Sequence, residues 1–118
     1  MNITNPAIYL SQQEIVDALI LQLNKDFELT DNLFIVSNYA TTYIELLSQI
    51  RHFIKTCNPE KLASILYRVD VSEQSFLKNF GLMVDGKEEN EALARQIIFR
   101  ELYKVLLRKD VLRANTNT

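Results

Sequence analysis

The stretch Leu93-Ala94-Arg95-Gln96-Ile97-Ile98-Phe99-Arg100-Glu101-Leu102-Tyr103-Lys104-Val105-Leu106 decides the fold. Leu93, Ala94, Ile97, Ile98, Leu102, Val105 and Leu106 recur at intervals of three and four. That spacing puts side chains on one face of an α-helix. Glu88, Glu89 and Glu91 open the segment, and Arg108 and Lys109 close it, so the charges complement the helix dipole at both ends. Glu91 and Arg95 form an i,i+4 pair of favourable orientation. The reading is a helix over about 88–109, preceded by a turn at Asp85-Gly86.

Upstream, a second long helix is predicted over about 38–57. Tyr39, Ala40, Tyr43, Ile44, Leu47, Ile50, Phe53 and Ile54 repeat at the same spacing, with Ser37 or Asn38 as the cap. It stops at Asn58-Pro59, because the residue before a proline avoids the helical region. Asn58 then caps a third helix with Pro59 in its first turn. Leu62, Ile65, Leu66 and Val69 are its buried stripe, and Asp70 breaks it. Ser72 caps a short helix with Phe76, Leu77 and Phe80 inward. Val71 and Phe76 stand at hydrophobic-staple spacing, and Gly81 is the stop.

Near the N-terminus, Asn5-Pro6 can start one helical turn. Ser11 and Glu14 have the spacing of a capping box. The helix they introduce runs over about 12–26, with Ile15, Val16, Leu19, Ile20 and Leu23 on one face. Leu33-Phe34-Ile35-Val36 is too short for periodicity to assign. A lone strand would leave its backbone groups unpaired, which favours helix or packed loop.

Composition agrees with helices. The 118 residues are 47% hydrophobic and 24% charged, with only two Gly and two Pro, too little turn punctuation for a β-rich domain. The net charge of −2 argues against general nucleic-acid affinity. Residues 1–50 hold six acids and one base, whereas residues 87–118 hold seven bases and five acids. Packing of the two parts against each other accounts for that asymmetry. Cys57 is the single cysteine, so neither an intramolecular disulfide nor a cysteine cage for a metal can form. No secretory signal is visible, and no apolar run approaches the ~20 residues of a membrane span. A cytoplasmic protein is the expectation.

The run Leu62 to Glu73, with its Leu-Tyr-Arg-Val-Asp-Val-Ser-Glu core, resembles one found in small uncharacterised bacterial helical proteins. Gln96 to Leu106 is similar to their C-terminal helix. The likeness covers roughly the second half of the chain. It implies an all-α fold and no known activity.

Four groups of residues invite a functional reading. The corner over 59–80 echoes a helix-turn-helix. Its turn is long and lacks glycine, Asp70 and Glu73 sit where phosphate would approach, and Lys78 is the one base of the second helix. DNA affinity needs several Lys or Arg. His52 and Cys57 are five residues apart on one helix, off a common face, with no second histidine. That spacing favours a surface histidine and a small apolar cysteine over a catalytic pair. Arg100, Lys104 and Arg108 make an i,i+4 basic ladder, read as a solvated face or a seat for an acidic partner. Arg68 can pair with Asp70, Glu73 or Glu101, or can line a pocket with Tyr67 and Tyr103.

The sequence therefore predicts an all-α domain over 1–113, of four or five helices, with a flexible polar tail at 114–118. The two long helices form the main packing pair and the short ones cap one end. No cofactor or metal is expected. The sequence weighs against an enzyme. It points to a helical interaction module or small homodimer, with the last helix as the surface. The alternatives are a nucleic-acid binder through the 59–80 corner, or a small-ligand pocket around Arg68. Ligand or partner candidates are Tyr67, Arg68, Arg100, Tyr103, Lys104 and Arg108.

Overall fold

In the computed structural model, which describes residues 6–71 and 86–109, five α-helices follow one another. They are α1 (Pro6–Leu10), α2 (Gln13–Asp26), α3 (Thr42–Thr56), α4 (Pro59–Val69) and α5 (Gly86–Arg108), with a 3-10 turn at Tyr39–Thr41 leading into α3. No strand occurs among the described residues. The predicted Ser72–Gly81 helix and the 114–118 tail lie outside them.

Helix α5 is the centre of the fold. Leu93, Ala94, Ile97, Ile98, Leu102, Val105 and Leu106 are all buried, as their spacing requires. The helix packs most extensively on α3, next on α2, and also on α4. Its stripe is thus covered by the chain itself, and the expected pairing of the two long helices is present. Gly86 begins α5 instead of lying in a turn. At a helix start the glycine penalty is small, because first-turn residues have few helical constraints to satisfy. No ion pair forms between Glu91 and Arg95 among the described contacts; on the neighbouring α3, burial pushes the Tyr43 phenol up, and its ring stacks on Phe99 at 6.0 Å.

The helix ends are made with almost no glycine. Asn58 caps α4 as predicted, its Oδ1 accepting from the Lys61 amide at 2.7 Å. At the other end Asp70 takes a left-handed conformation, φ 68°, and the Val71 amide donates back to the Leu66 carbonyl. This is the reversal that glycine usually makes. Helix α2 ends in the same way, with Glu28 at φ 55° and the Leu29 amide donating to the Asn24 carbonyl.

The capping box at Ser11 does not form. Helix α1 runs to Leu10, so Ser11 falls in the turn between two helices and its hydroxyl donates to the Ile8 carbonyl. Gln12 is the N-cap of α2, without a side-chain bond. The predicted start of α3 is also corrected. Asn38 caps the 3-10 turn through the Ala40 amide, and Tyr39 and Ala40 stay exposed. Ile44, expected inward, is 68% exposed, because the stripe proper runs through Thr42, Leu46, Ile50 and Ile54.

Residues 33–36 are a packed extended segment. Phe34 and Val36 turn towards the core while Leu33 and Ile35 face out. Side chains supply what a neighbouring strand would. Asn24 Oδ1 accepts from the Phe34 amide at 2.9 Å. The Gln49 amide group pairs with both the N–H and the carbonyl of Ile35, at 3.1 and 2.7 Å. Glu45 accepts from the Ser37 amide, the Ser37 hydroxyl, the Asn38 amide and the Thr41 hydroxyl. Beneath the segment, Phe27, Phe34 and Phe53 meet edge to face at 5.0 to 6.2 Å. Such pairs contribute about 0.5–1.5 kcal/mol each beyond their burial.

The bonds that Glu45 receives, from Ser37 first, hold its carboxyl down at about 2. A lowered folded value means that the stabilisation is present above the ordinary glutamate range and is lost as pH falls towards 2. Glu45→Gln should therefore flatten the acid limb of stability between about pH 4.5 and 2, read by urea unfolding at each pH. An unchanged acid limb would show that the loop is held without this carboxylate.

Candidate functional site

Periodicity places an acid at the heart of the last helix. Glu101 is four residues after Ile97, four before Val105 and three after Ile98. It therefore lies on the axis of the apolar stripe and is fully buried. Gln22 and Asp26 extend the stripe of α2, which contains Ile15, Val16, Leu19 and Leu23, and both are buried. The two stripes face each other, so Asp26 meets Glu101.

Lys104 stands one turn along α5 and reaches into the same place. Its Nζ donates to the Arg68 carbonyl at 2.8 Å and to Asp26 Oδ2 at 3.3 Å, and lies 3.2 Å from Glu101 Oε2. Gln22 Nε2 donates to Asp26 Oδ2 at 2.9 Å. Arg68 Nε donates to the Asp26 carbonyl at 2.7 Å, and its Nη1 reaches Ser64 Oγ and Glu28 Oε1. Arg108 Nη2 donates to Gln22 Oε1 at 2.8 Å. One chain of bonds thus ties α2, α4 and α5.

The two acids are shifted in opposite directions. Burial, then the bond to Asp26 and the charge of Asp26, push the Glu101 carboxyl up to about 9 against the pull of Lys104. Burial would also raise Asp26, but the bonds from Glu101, Gln22 and Lys104 outweigh it and hold Asp26 below its ordinary value. These opposite shifts favour the proton on Glu101 and the charge on Asp26.

The candidates from sequence are divided by this geometry. Arg68 and Lys104 meet at Asp26, and Arg108 reaches the same network through Gln22. Of the partners expected for Arg68, neither Asp70 nor Glu101 pairs with it and Glu73 lies outside the described residues; Glu28 pairs with it at 3.0 Å. Asp70 pairs instead with Arg100, at 2.6 Å, and the Arg100 guanidinium lies 5.5 Å from the centre of the Tyr103 ring. The basic ladder is thus no free cationic face: each member is engaged within the fold. Tyr67 is 87% exposed, and no hydrogen bond from its hydroxyl is found among the described residues.

His52 is exposed, and burial pushes the Cys57 thiol up, away from a reactive thiolate. No three His, Cys, Asp or Glu side chains gather around a metal position among the described residues. No described helix is long and apolar enough to cross a membrane.

Clefts among the described residues lie elsewhere. One of about 330 Å³ is lined by Leu10, Ser11, Tyr39, Thr42, Tyr43 and Phe99, together with Ala40. A larger one, about 610 Å³, separates the loop after α2 from α3; its floor includes Phe34 and Phe53, and its rim includes Asp31, Ser48 and His52. No protein family, curated protein or solved structure matches this chain.

A buried group that loses its partner costs about 3–5 kcal/mol. Lys104→Met leaves Asp26 without its cation and the Arg68 carbonyl without its donor, so it should lower unfolding stability by about 3 kcal/mol in urea. Tyr67→Ala, on the same corner, should change stability by under about 0.5 kcal/mol. Equal costs for the two would contradict the division drawn here.

Proposed function

We propose that this chain is a non-enzymatic helical interaction module that self-associates. The last helix, expected from sequence to be the surface, has its apolar stripe covered by α2, α3 and α4. The reading therefore moves to the segment over 33–36. Leu33 is 46% exposed and Ile35 is 66% exposed, on a stretch that Asn24, Glu45 and Gln49 hold in place. That is the observation which carries the proposal. Exposed branched side chains on a fixed backbone lose little further entropy when covered. The aromatic-floored cleft beside them adds relief into which a partner can fit.

The engaged basic ladder and the inactive setting of Cys57 support a role without catalysis and without nucleic acid. The likeness of residues 62–73 and 96–106 to small bacterial helical proteins belongs to the same reading, since it brings no activity with it.

Light scattering on a sizing column should show a concentration-dependent dimer. The double substitution Leu33→Ser and Ile35→Ser should return it to a monomer while leaving the helical circular dichroism intact. A strict monomer up to ~1 mM, the affinity range of the weakest specific contacts, would refute self-association. A dimer indifferent to the double substitution would refute this surface.

A further inference from the structure

Glu101 has no cation of its own. Neither of its oxygens receives an aligned hydrogen bond from a nitrogen donor. Lys104 is shared with Asp26 and with the Arg68 carbonyl. From α4, Arg68 directs Nε to the Asp26 carbonyl and Nη1 to Ser64 and Glu28. From α5 itself, Arg108 is turned to Gln22. From α2, Gln22 serves Asp26. From α3, no charged group acts on it. A single ammonium therefore faces two buried carboxyls. A proton on Glu101, donated to the Asp26 carboxylate, satisfies both acids and leaves Lys104 to hold the end of α4.

We propose that this proton is a latch on α4: ionisation of Glu101 draws Lys104 away from the Arg68 carbonyl and frees α4 from α2 and α5. The consequence falls on α4 because that helix has the least other anchorage. Only Ile65 and Val69 are fully buried on it. Leu62 and Leu66 are partly buried against the core, and the polar fastening of α4 among the described residues is the Arg68–Asp26, Arg68–Glu28, Lys104–Arg68 and Arg100–Asp70 contacts. Helix α3, in contrast, is held by Leu46, Ile50, Ile54 and the phenylalanine cluster. The sign is fixed by the raised carboxyl. The folded state keeps a proton that the unfolded chain loses in the ordinary glutamate range, so the latch weakens as pH rises.

Native-state hydrogen exchange tests this, with amides of α4 compared with those of α3 across pH 6–10 and corrected for intrinsic exchange. In the natural chain, α4 should lose protection by up to roughly tenfold per pH unit, the limit for one proton, while α3 keeps its own. In Glu101→Gln the difference between the helices should no longer depend on pH. A second measurement needs no variant: the carboxyl carbon-13 shift of Glu101 should be that of a neutral acid at pH 7. A carboxylate shift at pH 7 would overturn the proposal, as would equal loss over α3 and α4. So would an unchanged pH dependence in Glu101→Gln.

Discussion

Lys104 sits between Asp26, Glu101 and the last turn of α4, and the meeting of three helices depends on that position. An ammonium in a partly dry site is costly unless its donors are all engaged. Here the Arg68 carbonyl and Asp26 Oδ2 accept from it, and Glu101 Oε2 lies 3.2 Å away. One cation faces two buried acids, and their titrations are pushed apart, Asp26 down and Glu101 up. The core of α5 is therefore not purely apolar. It contains a polar point that aligns α2 and α4 on either side of it, in a way that interchangeable aliphatic contacts would not specify.

The same economy is visible at the helix ends. The chain has two glycines, and Glu28 and Asp70 occupy left-handed positions that glycine would take without strain. Each of these residues then meets an arginine from another helix: Glu28 meets Arg68, and Asp70 meets Arg100. A charged residue at the reversal is strained locally but gains a tertiary partner. Lys104 and Asp26 join the basic residues 87–118 to the acidic residues 1–50.

Much of the fold was legible because helical periodicity is a local property. The stripes of α2, α4 and α5, the Asn58 cap, the stop at Asp70 and the start at Pro6 all follow from residues within a turn or two of each other. The failures are also physical. Ser11 looks like a cap, but whether α1 reaches Leu10 decides which backbone group it finds. Ile44 fits a stripe of intervals, but the face that packs is chosen by what stands opposite. The 33–36 segment could not be assigned because its backbone partners, Asn24, Glu45 and Gln49, lie on two helices distant in sequence. In the site, Arg68 and Lys104 enter one network while Tyr67 stands exposed. The sequence named Glu101 only as a possible partner of Arg68; the signal of its burial is an acid on the axis of an apolar stripe, with Gln22 and Asp26 repeating it on α2.

The residues by themselves determined that the chain is helical, where its helices run and which stripes are apolar, since these depend on backbone preference and on a repeat of 3.6. Only the tertiary structure decided which acid meets which base. A carboxylate one turn along a helix is equally able to face water, a neighbour or the core until a second helix is placed against it. That placement buried Glu101 at the centre of the stretch from Leu93 to Leu106, set it beside Asp26 and Lys104, and drew the basic ladder beside it into contacts with other helices.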